Sequence, residues 1–536
     1  MRVHDQPGRS TVFASGAMAA TSQPASSITA LRILMAGGNA MDAAIAAVAV
    51  QCVVEPQSTS IGGDCFCLYA PAKAPKGTPP IAFNGSGRAP KAATAEWYTA
   101  NGFNHIPLHS PHAVTIPGAV DAWCQLLRDH GTMSLAQVLE PAIRYARDGF
   151  AVHGVVAYDW ALFDELLAQD PTAATYYLKN GKAPSEGDVI RLPLLAKTLE
   201  TIAEKGREGF YSGWVGEDIV GYLKSKGGFH TMDDLAAGVG DYVTPISTNY
   251  RGYDIYECPP NGQGIVALAM LNILQGFDLT SLDPVSPERL HLEIEAARLA
   301  YLDRDAVLAD PKFAQVPMQT WLSADHAAGL RKLIDPKRRG PDFPASKLPP
   351  HHDTVYLTVV DKDRNAVSLI NTLFHTFGSG LCAPESGVML QNRGAGFVLT
   401  PGHPNCIEGG KRPLHTIIPG MLMKDGRAQM PFGVMGGQYQ ACGHAHVLTN
   451  LIDYKMDIQS AIDMTRVFPD NEDPDGRVQV ESGLPPEVLA GLHKLGHRTY
   501  IPNRPIGGSQ AIWIDWEQGM LRGGSDPRKD GMAIGY

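Results

Sequence analysis

The chain has 536 residues, 44% of them hydrophobic and 19% charged, with a formal net charge of −10. That composition supports a large core and excludes wholesale disorder; scattered basic residues under a negative net charge exclude a nucleic-acid footprint. Length alone suggests roughly two to four domains.

No apolar stretch follows the first basic residue, Arg2, so no secretory signal is predicted. The longest apolar run, 40–54, is too short to span a bilayer and is interrupted by Asp42. Cys52, Cys65, Cys67, Cys124, Cys258, Cys382, Cys406 and Cys442 are spread among apolar neighbours. In a chain this long they read as small buried hydrophobes of a reduced, cytoplasmic protein rather than a disulfide framework.

Residues 1–13 read as a loose tail. Two helical segments follow between Ser15 and Pro56: Ser26 or Ser27 can cap the first, and Gly37-Gly38 stops it. The second, 39–54, is so rich in alanine and valine that burial on most sides is predicted. The glycines of 60–70 turn the chain into a strand. Asn84-Gly-Ser-Gly-Arg88 lacks the strand–GxGxxG–helix setting of a dinucleotide site. Helical periodicity dominates 117–224, 250–258 alternates like a strand, and helices are predicted over 264–274 and 287–305. Five prolines between Pro336 and Pro350 mark a connector, after which the chain is strand-rich. Helices mainly first and strands mainly later predict an α+β fold of stacked sheets covered by helices.

The connector runs into 353–380, two β-branched strands joined by a charged turn at 361–365, a hairpin signal. The first strand opens on Thr354. A cut between Asp353 and Thr354 would leave one residue with both a hydroxyl and a free α-amine, a known way to activate a weak nucleophile.

Several motifs stand in order along the chain: A-G-G-N-A-M-D-A-A-I-A-A near the start, V-E-P-x-S-x-x-I-G-G at 54–63 and P-A-I-R-Y-A-R-D-G-F at 141–150. Further on are P-P-N-G-Q-G, E-A-A-R-L-A-Y-L-D-R-D at 295–305, T-V-V-D-K-D-R-N-A-V-S at 358–368, G-K-R-P-L at 410–414, M-G-G-Q at 435–438 and S-D-P-R at 525–528. In this order the chain resembles the γ-glutamyltranspeptidase family of N-terminal-nucleophile hydrolases. The resemblance implies an αββα sandwich, self-cleavage between Asp353 and Thr354, and two pieces, 1–353 and 354–536, that stay together as one composite domain. It also implies Thr354 as nucleophile, Thr372 bonding to it, and Gly436 and Gly437 stabilising an oxyanion; no cofactor is implied.

The substrate shell departs from the family pattern. Phe374 stands where classical transpeptidases have an asparagine, Arg393 and Gly396 replace a glutamine and an aspartate, and His415-Thr416 replaces two serines. The arginine that binds glutamate in those enzymes has no clean counterpart, Arg88 being displaced. The shorter 397–411 segment implies a less covered pocket. An acid for a substrate ammonium is missing while a guanidinium appears, which favours a small carboxylate held by Arg393, with Phe374, His415, Thr416 and Arg88 around it. Oxamate is the expected substrate within this family. Two alternatives stand beside it: a γ-glutamyl hydrolase or transpeptidase, and an inactive homologue kept as a binding protein.

Paired histidines at His109/His112, His351/His352 and His444/His446 lack ligand partners at metal spacing, so no metal site is predicted. Arg298, Asp303, Arg304 and Asp305 read as buried or interface ion pairs.

Overall fold

A computed structural model describes residues 8–344, 346, 354–470 and 472–536. These residues build two seven-stranded sheets. In chain order the strands begin with β1 (Val12–Ala14), β2 (Met18–Thr21), β3 (Asp64–Ala70), β4 (Ile81–Gly85), β5 (Asp241–Val243), β6 (Ile246–Tyr250) and β7 (Tyr253–Glu257). They continue with β8 (Val355–Val360), β9 (Ala366–Thr372), β10 (Gly420–Lys424), β11 (Arg427–Met435), β12 (Gly508–Asp515), β13 (Met520–Ser525) and β14 (Met532–Gly535). One sheet runs β14-β2-β8-β9-β3-β4-β5 and the other β1-β13-β12-β11-β10-β7-β6. Each takes strands from both sides of position 353/354. The central pairings, β8 with β9 and β9 with β3, are antiparallel.

Alternation along the strands explains the layers. Leu357 and Val359 of β8, Val367 and Leu369 of β9, and Cys65 and Cys67 of β3 pack under α1 (Pro24–Met35) and α2 (Ala40–Val54). Their neighbours Tyr356, Ile370, Phe66 and Leu68 meet Met421, Met435 and Ile512 between the sheets. On the far side α3 (Gly264–Leu274), α4 (Pro287–Val307) and α5 (Gln440–Ile452) cover Leu422, Met430 and Val434. The order is helix, sheet, sheet, helix, the αββα sandwich. Every residue of α2 is buried, as its alanine and valine content requires, and its Asn39 cap is completed by Asp42.

Three local expectations are corrected. Residues 12–14 are not loose tail but the edge strand β1, paired through Val12 to Gly523. Gln23, not Ser26 or Ser27, caps α1, because Pro24 already occupies its first turn. The alternating 250–258 stretch is the second arm of a hairpin that turns at Arg251-Gly252, Arg251 having φ of 52°. The hairpin β8–β9 forms as read; Asp361 closes its turn by accepting from the amides of Asp363 and Asn365.

Candidate active site

Register places the hairpin's two threonines together. Val355 pairs with Asn371, so the next position outward sets Thr354 opposite Thr372, both on the face that carries Tyr356 and Ile370 between the sheets. Thr354 Oγ1 lies 3.4 Å from Thr372 Oγ1, and Gln440 Nε2, from the first turn of α5, is 3.4 Å from Thr354 Oγ1. These are long contacts, of the kind that tighten when a substrate arrives. The Phe374 amide donates to Thr372 Oγ1 at 2.9 Å, which leaves the Thr372 proton to point elsewhere. Asp353, the other side of the expected cut, lies outside the described residues.

The Gly436-Gly437 turn joins β11 to the helical turn before α5. Both residues have positive φ, 119° and 57°, and a Cβ on Gly436 would stand 2.7 Å from the Gly507 Cα, so the turn requires glycine. Tyr439 N–H binds the Gly436 carbonyl, and Gln263 Nε2 binds the Gly437 carbonyl at 3.1 Å. Among the described residues the Gly437 N–H donates to nothing. Gln263 also donates to the Thr416 carbonyl and accepts from Arg304, which in turn donates to the Gln438 side chain. Arg304 therefore braces this turn from α4, beyond the ion pair with Asp305 expected of it.

Arg393 is 0% exposed. Its guanidinium lies 3.7 Å from the centre of the Phe374 ring, and Nη1 donates to Thr416 Oγ1 at 3.1 Å. Nε and Nη2 are buried with no hydrogen-bond partner among the described residues. Burial pulls Arg393 down to about 9, against the field of Asp64. Phe374 achieves this stacking in the left-handed region, φ 81°, costly for a bulky residue and a mark of functional sites.

His415 is held on both nitrogens. Ile417 N–H donates to Nδ1, so Nε2 carries the proton and donates to Asp64 Oδ2 at 2.9 Å. Burial and the neighbouring Arg393 lower His415 to about 4, so the imidazole is neutral at pH 7. Asp64 also accepts from Gly87 N–H and Gln391 Nε2, both on Oδ1. It pairs with Thr372 across β3–β9.

The sequence-predicted residues thus fall into one shell, with corrections. Thr354, Thr372, Phe374, Arg393 and Thr416 connect contact by contact; Gly436 and Gly437 join through Gln263. Arg88 does not: it is bound to Asp241 and the Gly410 carbonyl, 3.8 Å from Asp310. One acid that the sequence reading did not place here, Asp64, sits in the shell, buried, with His415 on its Oδ2. Phe397, Val398, Leu399, Cys406 and Ile407 of the short segment cluster with Phe374. Sequence reading missed Asp64, Gln263 and Gln440. Asp64 had a signal, an acid opening the otherwise apolar strand DCFCLYA.

Elsewhere, His291, Glu295 and His497 gather, but His291 Nδ1 and His497 Nε2 share a hydrogen bond at 2.7 Å. Arg298 and the Gly340 amide take the Glu295 oxygens. His351 and His352 lie outside the described residues; His444 and His446 bond to Glu257 and Glu293. Among the described residues no helix is long and apolar enough to cross a membrane.

Two stacked antiparallel sheets between helical layers, with a threonine at the mouth of an inner strand, define an N-terminal-nucleophile amide hydrolase. Comparison with known proteins agrees. The family model for gamma-glutamyltranspeptidase matches residues 25–536, and the chain belongs to that family. The chain is 40% identical over 513 residues to the glutathione hydrolase-like YwrD proenzyme of Bacillus subtilis (strain 168), covering 94% of this chain and 95% of that one. It is 34% identical over 534 residues to the oxamate amidohydrolase proenzyme of Klebsiella pneumoniae, covering 97% and 98%. The crystal structure of cephalosporin acylase from Bacillus halodurans superposes with a TM-score of 0.92 at 38% identity, covering 100% of this chain and 99% of that one. The protein is an amide-bond hydrolase of this family.

Proposed function

We propose that the chain cuts itself before Thr354 and then hydrolyses the amide of a short carboxylate-bearing substrate, oxamate fitting best. In the precursor the Thr354 oxygen attacks the Asp353 carbonyl carbon and the peptide C–N bond breaks. The resulting ester is opened by water, leaving an Asp353 carboxylate and a free Thr354 amine. Pieces 1–353 and 354–536 stay together as one composite domain, since both sheets interleave strands from each. In the mature enzyme the α-amine, ordinarily titrating at about 7.7–8.0, takes the hydroxyl proton as the oxygen attacks the amide carbon. The same proton goes to the departing ammonia, and water then releases oxalate from the acyl-enzyme. Thr372 orients the nucleophile, and the Gly436-Gly437 turn offers N–H groups to the developing oxyanion.

The observation that carries the substrate assignment is the orphaned edge of Arg393. Nε–H and Nη2–H are the two donors a guanidinium presents side-on to one carboxylate. Leaving charged donors buried and unpaired is expensive, about 1–3 kcal/mol or more each, and a substrate carboxylate removes that cost. The stacked Phe374 and the apolar residues clustered with it suit a small, flat acid amide. Thr416 holds the third nitrogen of the fork, while His415 acts on Asp64 rather than on substrate.

A second reading, a γ-glutamyl hydrolase or transpeptidase, draws support from the glutathione hydrolase-like YwrD relative. Ammonia release from oxamate, compared with chromophore release from a γ-glutamyl anilide, separates the two. A faster anilide reaction would overturn the oxamate assignment.

A further inference from the structure

We propose that His415 is a specificity-determining residue: its Nε2–H occupies the place on Asp64 that a substrate α-ammonium would need, so the site rejects α-amino acids and accepts their des-amino counterparts. This rests on the reading of Arg393 as the carboxylate clamp.

The accounting is local. Asp64 Oδ1 already accepts two donors, Gly87 N–H and Gln391 Nε2, while Oδ2 accepts from His415 alone. Asp64 sits beside the clamp: Gln391, two residues before Arg393, donates to its Oδ1, and His415, on its Oδ2, directly precedes the Thr416 that holds Arg393 Nη1, so a zwitterion with its carboxylate on Arg393 would bring its ammonium toward this carboxylate. That approach is closed, because the imidazole proton is in the way and the imidazole itself is fixed. Its other nitrogen accepts the Ile417 amide, and Phe66 packs against the ring at 4.9 Å between centroids. His415 therefore cannot turn aside without stranding a buried amide. An ammonium entering this shell would meet the positive Arg393 and a carboxylate that already holds three donors, His415 among them on Oδ2, which is the costly way to bury a charge. A des-amino acid lacks that group and pays no such penalty. The histidine thus substitutes, inside the protein, for the ammonium that other substrates carry.

Matched pairs test this because their members differ only in the ammonium: succinamate against asparagine, and glutaramate against glutamine, followed by ammonia release with the matured enzyme. The wild type should favour the des-amino member of each pair by about 10- to 100-fold in kcat/KM, the scale of one unpaired buried polar group. His415→Ser frees Oδ2 and should move that ratio at least about 10-fold toward the amino acid. His415→Asn, which keeps a donor for Asp64, should leave the ratio near the wild-type value. If the serine variant loses turnover, the contrast is read on binding instead, as the thermal shift given by succinate against aspartate. A wild type that prefers asparagine, a ratio unchanged in His415→Ser, or no binding of either member to either protein overturns the proposal. Failure of the clamp itself looks different: carboxylate saturation would then survive loss of Arg393, whatever His415 does.

Discussion

Replacing Arg393 by methionine separates a functional cation from a structural one. Methionine keeps a flexible apolar stem on the Phe374 ring and removes the charge and all its donors. A fall from the ordinary 12.5 to about 9 corresponds to roughly 5 kcal/mol of disfavour for the charged form. Against this the native protein gains one bond to Thr416 and the ring contact, together about 2–4 kcal/mol. Removal should therefore leave folding stability unchanged or raised, as when a buried charge yields to an apolar side chain. Activity should move the other way. Two charge-assisted bonds to substrate, about 1.5–3 kcal/mol each, predict a loss of about 10²- to 10⁴-fold in kcat/KM on oxamate. The assay pairs ammonia release with a thermal melt, with and without oxalate; oxalate should raise the melting temperature of the wild type and not of the variant. A variant that melts well below the wild type yet keeps kcat/KM within threefold would show that Arg393 serves the fold and that the clamp is wrong.

Thr354→Ala should remain one band on a denaturing gel, whereas wild type separates into pieces 1–353 and 354–536 with threonine at the new N-terminus; a wild type that also stays intact refutes self-processing. Gly436→Ala places a methyl 2.7 Å from the Gly507 Cα and should cost about 10²-fold or more in turnover, measured as single-turnover acylation; a normal rate removes the turn from the mechanism. Burial raises Glu55 to about 7, despite bonds from Ser22 and Gln51. Because the folded value lies above the unfolded one, its contribution is fully favourable below about 4.5 and is lost as pH rises through 7. Glu55→Gln, compared in the uncleaved Thr354→Ala background by urea unfolding, should gain about 3 kcal/mol relative to its parent between pH 4.5 and 8; parallel curves across that range would refute it.

Local signals carried much of this protein. The β-branched runs of β8 and β9, the charged turn at Asp361 and the alanine- and valine-rich helix over 39–54 each depend on residues a few positions apart, and each formed as read. Misreadings arose where a distant partner decided. Val12–Ala14 looks like tail until β13 supplies its ladder, and Arg88 looks like a substrate ligand until Asp241 claims it. Arg304 read as one member of a buried or interface ion pair because Gln263 and Gln438, which it joins, are more than a hundred residues away from each other.

By itself the sequence determined the reaction class: a threonine opens a β-branched strand behind a proline-rich connector, and the ordered motifs around it resemble one family of N-terminal-nucleophile hydrolases, which is what singled out the second threonine and the two-glycine turn. It also named Arg393 and Phe374 as departures in the substrate shell. Only the tertiary structure decided the state of that shell. Whether a guanidinium is paired, whether an imidazole is neutral, and whether a carboxylate has a lone pair left are properties of what surrounds each group once water is excluded. Asp64, Arg393 and His415 lie on separate segments, and only the folding of β3, β9 and the loops beyond them against one another brings them into a single buried set.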